Sequence, residues 1–341
     1  MADFFWVGGS GNWNDSANHW SATSGGAPGA GVPGSGDDCI FDANSFTAGS
    51  KTVTFNVAPN VKSMNFTGAT NNPIVDPNNG ATINGDLTLI SGMTWGSDGT
   101  TLTFGTTGTT CNFTSAGVTI GQANVLIIGS GTFNLQDDTT INRSGIDGTF
   151  RSSGTGTINL NGNDLTCFAF QVIGGSATFD ISSSIITLTA TGGGSDVWSM
   201  GAGNTITTTG STINISGSTV DFIGGGKTYQ DISITGSSVT VSGVNTFDDF
   251  TVSAGKTILF ANNQTMTTLT ALGTSGSHIT LKSSANGTQR SLCVTTWNVT
   301  YVDFQDIIAS CSFLECCECG NNGNNSGIDF CTSRAFLLTQ I

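Results

Sequence analysis

The chain has 341 residues, of which 9% are Asp, Glu, Lys or Arg, and its 9 basic and 23 acidic residues give a net charge of −14. Nucleic acid is excluded as the main partner, because phosphate binding needs a basic stripe and the nine Lys and Arg are scattered singly. No apolar run reaches the roughly 18 residues that a membrane span needs, and solubility must rest on hydroxyls and amides, which suit strand faces and turns.

Taken in chain order, the start Met1-Ala2-Asp3-Phe4-Phe5-Trp6 lacks a basic segment followed by an apolar stretch, so no Sec export signal is expected. Residues 1–48 concentrate Trp6, Trp13, Trp20, Pro28 and Pro33 and predict an N-terminal cap over the open edge of a stacked-strand body. Within them, Gly8-Gly9-Ser10-Gly11-Asn12-Trp13 resembles a calcium-binding repeat only in part, since Trp13 stands where the ligand would be. Asp37, Asp38 and Asp42 read as a capped turn in preference to an ion site. Residues 49–80 look transitional, because every proline lies at or before Pro77 and proline is excluded from central ladders.

Residues 49–300 predict the body. Short apolar triplets such as Val53-Thr54-Phe55, Leu102-Thr103-Phe104, Ile213-Asn214-Ile215 and Ile258-Leu259-Phe260 recur between Gly, Asn and Ser turns. No stretch holds helical spacing, and the 21 Phe residues supply core mass. The expected fold is all-β, a single-stranded right-handed parallel β-helix with three strands per coil and roughly 20 to 28 residues per turn. About 250 residues at about 4.8 Å per coil would make a rod about 50 Å long. Lys51-Thr52, Lys227-Thr228 and Lys256-Thr257 each lead into a strand, which predicts one solenoid corner used repeatedly. Gly224-Gly225-Gly226-Lys227-Thr228 imitates the end of a phosphate-binding loop, but Asp221 replaces the required glycine and a strand follows, so nucleotide binding is rejected. Residues 301–341 predict a final strand from Tyr301 to Ile307, then a Cys-rich C-terminal cap whose tail, Ala335-Phe336-Leu337-Leu338, could hold a short helix.

Carboxylate pairs matter because rod-like β-helices include polysaccharide-degrading enzymes. Asp137-Asp138 and Asp248-Asp249 are the candidates, yet strand neighbours point to opposite faces, so each pair would offer one outward group and need a partner from another coil. His19 and His278 stand in no cleft motif, so no catalytic residue is assigned and an enzyme is not expected. These four aspartates, with Trp95 and Trp198 as stacking candidates, are instead candidate glycan contacts. Cys39, Cys111, Cys167 and Cys293 read as small buried hydrophobes. Cys311, Cys316, Cys317, Cys319 and Cys331 are weak zinc candidates, and the odd count of nine favours reduced thiols; no cofactor is expected.

The opening Trp6-Val7-Gly8-Gly9-Ser10-Gly11-Asn12-Trp13, with Asn18-His19-Trp20, Val32-Pro33 and Asp37-Asp38-Cys39-Ile40-Phe41-Asp42, resembles the start of repetitive β-helix proteins of tailed bacteriophages and environmental bacterial surfaces. Val299-Thr300-Tyr301-Val302-Asp303-Phe304 and Gly323-Asn324-Asn325-Ser326-Gly327-Ile328-Asp329-Phe330 are similar to that group's close. The resemblance implies a structural virion protein and brings no catalytic residues with it. The expectation is a tail fibre or spike contacting host-surface polysaccharide, assembled as a homotrimer with other virion proteins. The alternatives are a capsid decoration protein, a bacterial cell-surface adhesin and a polysaccharide depolymerase.

Overall fold

The structure, a computed structural model, describes residues 2–331. The expected tail at Ala335–Leu338 therefore lies outside the described residues. The fold is all-β, with parallel strands stacked as β-solenoid coils, about 12 turns in all, and the single described helix is the four-residue Ser16–His19. The chain divides into two compact units, Met1–Ala190 with Ser199–Ser211 and Thr191–Trp198 with Thr212–Ile341.

In the first unit each coil visits three faces. The first face stacks Asp3–Trp6, Asp38–Ile40, Ser63–Asn65, Leu87–Thr88, Thr110–Thr114, Thr132–Leu135, Thr157–Asn159, Thr178–Asp180 and Thr205–Thr207 in parallel. Trp20–Ser21 pairs antiparallel on the outer side of Asp3–Trp6. The third face runs from Asn60–Val61 to Ala169–Val172. The second face stacks Gly11–Asn12, Thr52–Thr54, Ile74–Asp76 and Thr94–Trp95, and there it breaks. It resumes as Thr139–Thr140, Leu165–Cys167 and Ile185–Leu188. Residues 49–80, expected to be transitional, already carry stacked strands on all three faces.

Alternation places one side of every strand in the core. Phe104, Phe133, Phe150, Phe170 and Phe179 follow one another through the first unit with ring centroids 5.0 to 5.9 Å apart. Near its start, Trp6, Trp13 and Trp20 are fully enclosed, and the indoles of Trp6 and Trp20 donate to the carbonyls of Gly9 and Trp13. His19 stacks on Trp6 at 4.6 Å. A Cβ on Gly11 would stand 1.9 Å from the His19 ring, so this glycine of the opening motif makes room for a side chain. Asp38 pairs with Lys62 at 2.8 Å, and Asp37 accepts the backbone N–H groups of Ala2 and Gly34, as expected of a capped turn.

The second unit stacks Thr212–Ile215, Thr228–Ile234, Thr246–Val252, Gln264–Leu272, Arg290–Thr300 and Ile307–Ser310 in parallel. A second face carries Ser218–Ile223, Ser238–Ser242, Thr257–Phe260, Ile279–Ser283 and Val302–Gln305. Its coils are shorter than expected in places: Gln230 meets Asp248 18 residues on, and Asn245 meets Gln264 19 residues on. The strand expected from Tyr301 to Ile307 is two strands, parted at Asp306, whose φ of +56° turns the chain. The Lys-Thr pairs do not share a corner, since Thr228 opens a strand of one face and Thr257 a strand of the other. What they share is strand entry, because the carbonyls of Lys51, Lys227 and Lys256 each accept an N–H from the next coil.

Candidate functional site

Three surface features follow from this stacking. The first is a two-row array on the first face of the first unit. Thr110, Thr132, Thr157, Thr178 and Thr205 stand in register, one per coil, with rungs about 4.8 Å apart. Beside them run Asn112, Asn134, Asn159, Asp180 and Thr207, while Cys111, Phe133, Ile158 and Phe179 between the rows point into the core. The asparagines form a directed relay: Asn159 donates to Asn134 at 2.9 Å, Asn134 to Asn112 at 3.0 Å, and Asn112 to the Asp86 carboxylate at 2.9 Å. The signal was present in the sequence as Thr-x-(Asn/Asp/Thr) triplets, but the spacing between coils varies too much for a fixed-period reading to find it.

The second feature is an acidic corner in the second unit. Asp248 and Asp249 were expected on opposite faces, yet neither is buried. The strand bends there, so two successive side chains, Gln230 and Asp231, then Asp248 and Asp249, then Thr267 and Thr268, turn outward between inward residues. Asp231 lies against Asp249 in the ladder, and Gln230 donates to Asp248. Burial first, then repulsion from Asp249 and Asp248, pushes the Asp231 carboxyl above the usual carboxylate range.

The third feature is a cleft of about 540 Å³ at the break of the second face. Thr94–Trp95 ends its four-stranded sheet, and no described strand pairs with its outer side. The next coil passes instead as the turn Ser115–Val118, closed by the Val118 N–H donating to the Ser115 carbonyl. Asp137 holds that turn, accepting the backbone N–H groups of both Ser115 and Ala116. On the far side, the excursion between Thr139–Thr140 and Thr149–Ser152 is pinned by a two-pronged Arg143–Asp147 pair, and Ser144 meets Ser97 across the gap at 3.0 Å. A Cβ on Gly121 would fall 2.5 Å from the Gly96 carbonyl, so glycine is required where the walls converge. The lining is neutral: Ser, Thr and Asn side chains with Met93, Trp95 and Val118, and no charged group.

The predicted contacts part company here. Trp95 lines the cleft but is 3% exposed, its ring edge-on to Phe55, so it offers no stacking platform. Its indole Nε1 is buried without a partner among the described residues, and such an orphaned donor costs about 1–3 kcal/mol. Trp198 is enclosed altogether, stacked on Phe222 at 5.9 Å and donating to the Tyr229 hydroxyl, and has no face for a ligand. Asp138 accepts the N–H of Asp164, so both members of the first pair secure backbone.

The cysteine reading is corrected in part. Cys39, Cys111 and Cys167 are buried free thiols, and burial pushes Cys111 to about 11 and Cys167 to about 12. Cys293, read as a packing residue, is instead bonded to Cys311. Cys316 is bonded to Cys319 and Cys317 to Cys331, so none of the five zinc candidates retains a thiolate to give a metal. Glu315 near Cys317 and Cys331 is left as a lone carboxylate. An odd count conceals three bridges because three thiols are spent on the core. No described helix is long and apolar enough to cross a membrane. No family model, curated protein or solved structure matches this chain.

Proposed function

We propose that the chain is a non-catalytic structural β-solenoid that contacts surface glycans, and that it serves as a tail fibre or spike of a tailed phage particle. The observation that carries the reading is the two-row array on the first unit's first face. Hydroxyls and amides in register, free of net cationic charge, suit a long uncharged polyhydroxylated chain better than a phosphate polymer. The resemblance of both chain ends to phage and surface β-helix proteins supplies the particle. A right-handed coil, the hand that parallel crossovers almost always take, and a homotrimer belong to the same proposal.

The carboxylates support binding in preference to hydrolysis. Asp137 and Asp138 are committed to backbone N–H groups, and Asp248 is engaged by Gln230. A hydrolase needs a proton donor and a second carboxyl across the scissile bond. The test is to add purified protein to host cells before the particle, measuring adsorption and new reducing ends in the capsule together. Blocked adsorption without new reducing ends is expected. New reducing ends would replace the reading with a depolymerase, and unimpeded adsorption would remove the receptor role.

A further inference from the structure

We infer that the cleft at the break of the second face is a subsite for one neutral sugar unit. The inference rests on the glycan-binding reading and gives it a location apart from the threonine rows.

The cleft is built by a topological discontinuity: the second face stops at Thr94–Trp95, leaving a strand edge that faces a space of about 540 Å³. That lies within the roughly 300–1,000 Å³ of small-molecule sites. The Trp95 Nε1 is itself buried, so ligand contact falls to the hydroxyls and the amide of the lining.

The lining selects the class. Hydroxyls of Thr94, Ser97, Thr119 and Ser144 both donate and accept, and the Asn142 amide adds either polarity. Met93 and Val118 offer small C–H patches to the apolar side of a pyranose ring. No cation is present to balance a phosphate, sulfate or uronate, and no anion to balance an amine. A peptide adding itself to the strand edge would find only two residues to pair with.

The walls are set before any ligand arrives. Asp137 fixes the turn on one side, and the Ser97–Ser144 contact and the Arg143–Asp147 pair fix the other. Asp137 is thus a positioning residue.

The test uses the full chain on an array of neutral and anionic oligosaccharides, comparing wild type with Thr119→Lys, Thr94→Glu and Thr288→Lys. Thr119 and Thr94 are exposed and lie in the cleft, and Thr288 is exposed and lies in neither the cleft nor the two-row array. Melting curves of each variant verify folding without disturbing the enclosed Trp95. Neutral glycan binding that falls at least tenfold in both cleft variants, whatever the sign of the new charge, and persists in Thr288→Lys is the expected result. Binding that survives in both cleft variants, or that is confined to anionic glycans, overturns the cleft subsite while the glycan reading stands. Absence of binding to every glycan overturns the glycan reading and the subsite with it. Binding of unstructured peptides in place of glycans, lost in the cleft variants, overturns the sugar assignment.

Discussion

Asp231 shows what a single carboxyl in this fold is made to bear. It stands against Asp249 in the ladder with Asp248 nearby, and burial together with this repulsion raises its titration. The folded protein therefore keeps the Asp231 proton to a higher pH than the unfolded chain does. Stability falls as pH climbs from the ordinary Asp value of about 4 through the raised one, and the whole penalty is present above that window. Asp231→Asn should raise the melting temperature at neutral pH, and the gain should vanish as pH drops below the ordinary Asp value. Melting curves across that range measure it; a gain of the same size in acid would assign it to packing. The thiols give a second expectation at this scale. Cys39, Cys111 and Cys167 are buried, and burial raises the titration of each. A thiol-specific reagent at neutral pH should find none in the native protein, three after unfolding without reductant and nine with it. More than three in the second case would dissolve the proposed bridges.

At the level of strands and turns, much was legible and the remainder has physical reasons. Triplets such as Val53-Thr54-Phe55 and Ile258-Leu259-Phe260 announced strands because alternation is enforced wherever one face is buried. The outward pair Asp248-Asp249 was misread because alternation fails at a bend, and a bend between two strand directions leaves no residue signature of its own. The break after Thr94–Trp95 was invisible for a related reason: pairing is a relation between coils, and a strand that lacks a neighbour reads the same as one that has it. Trp95 was singled out for a stacking role, which its burial forbids. The glycines carry their own message. Gly131 and Gly156 occupy one corner of successive coils, and a Cβ at Gly156 would lie 2.1 Å from the Gly131 carbonyl. Gly156→Ala should destabilise the protein by about 1–3 kcal/mol through this overpacking. Denaturant unfolding of the variant measures the loss, and an unchanged midpoint would mean the corner can open.

For the whole molecule, sparse charge is the governing fact. A surface of hydroxyls and amides has little repulsion to hold copies apart beyond its net −14. As its 23 acidic residues protonate toward about pH 4, that repulsion disappears, and ladders of polar side chains are left to meet one another. Light scattering should therefore report reversible self-association near that pH, cleared on return to neutrality. A monodisperse acid solution would show that something other than charge keeps the faces apart.

The threonine row also constrains how such a surface can change over generations. Each coil contributes one rung, so duplicating a coil lengthens the contact strip by a fixed step of about 4.8 Å without altering its chemistry. A gain or loss of a single residue within a first-face strand does the opposite, since it turns Thr157 inward and Ile158 outward in one stroke. Heredity can thus adjust the reach of this protein in whole coils, while the turns between strands, where length is already uneven, absorb everything smaller.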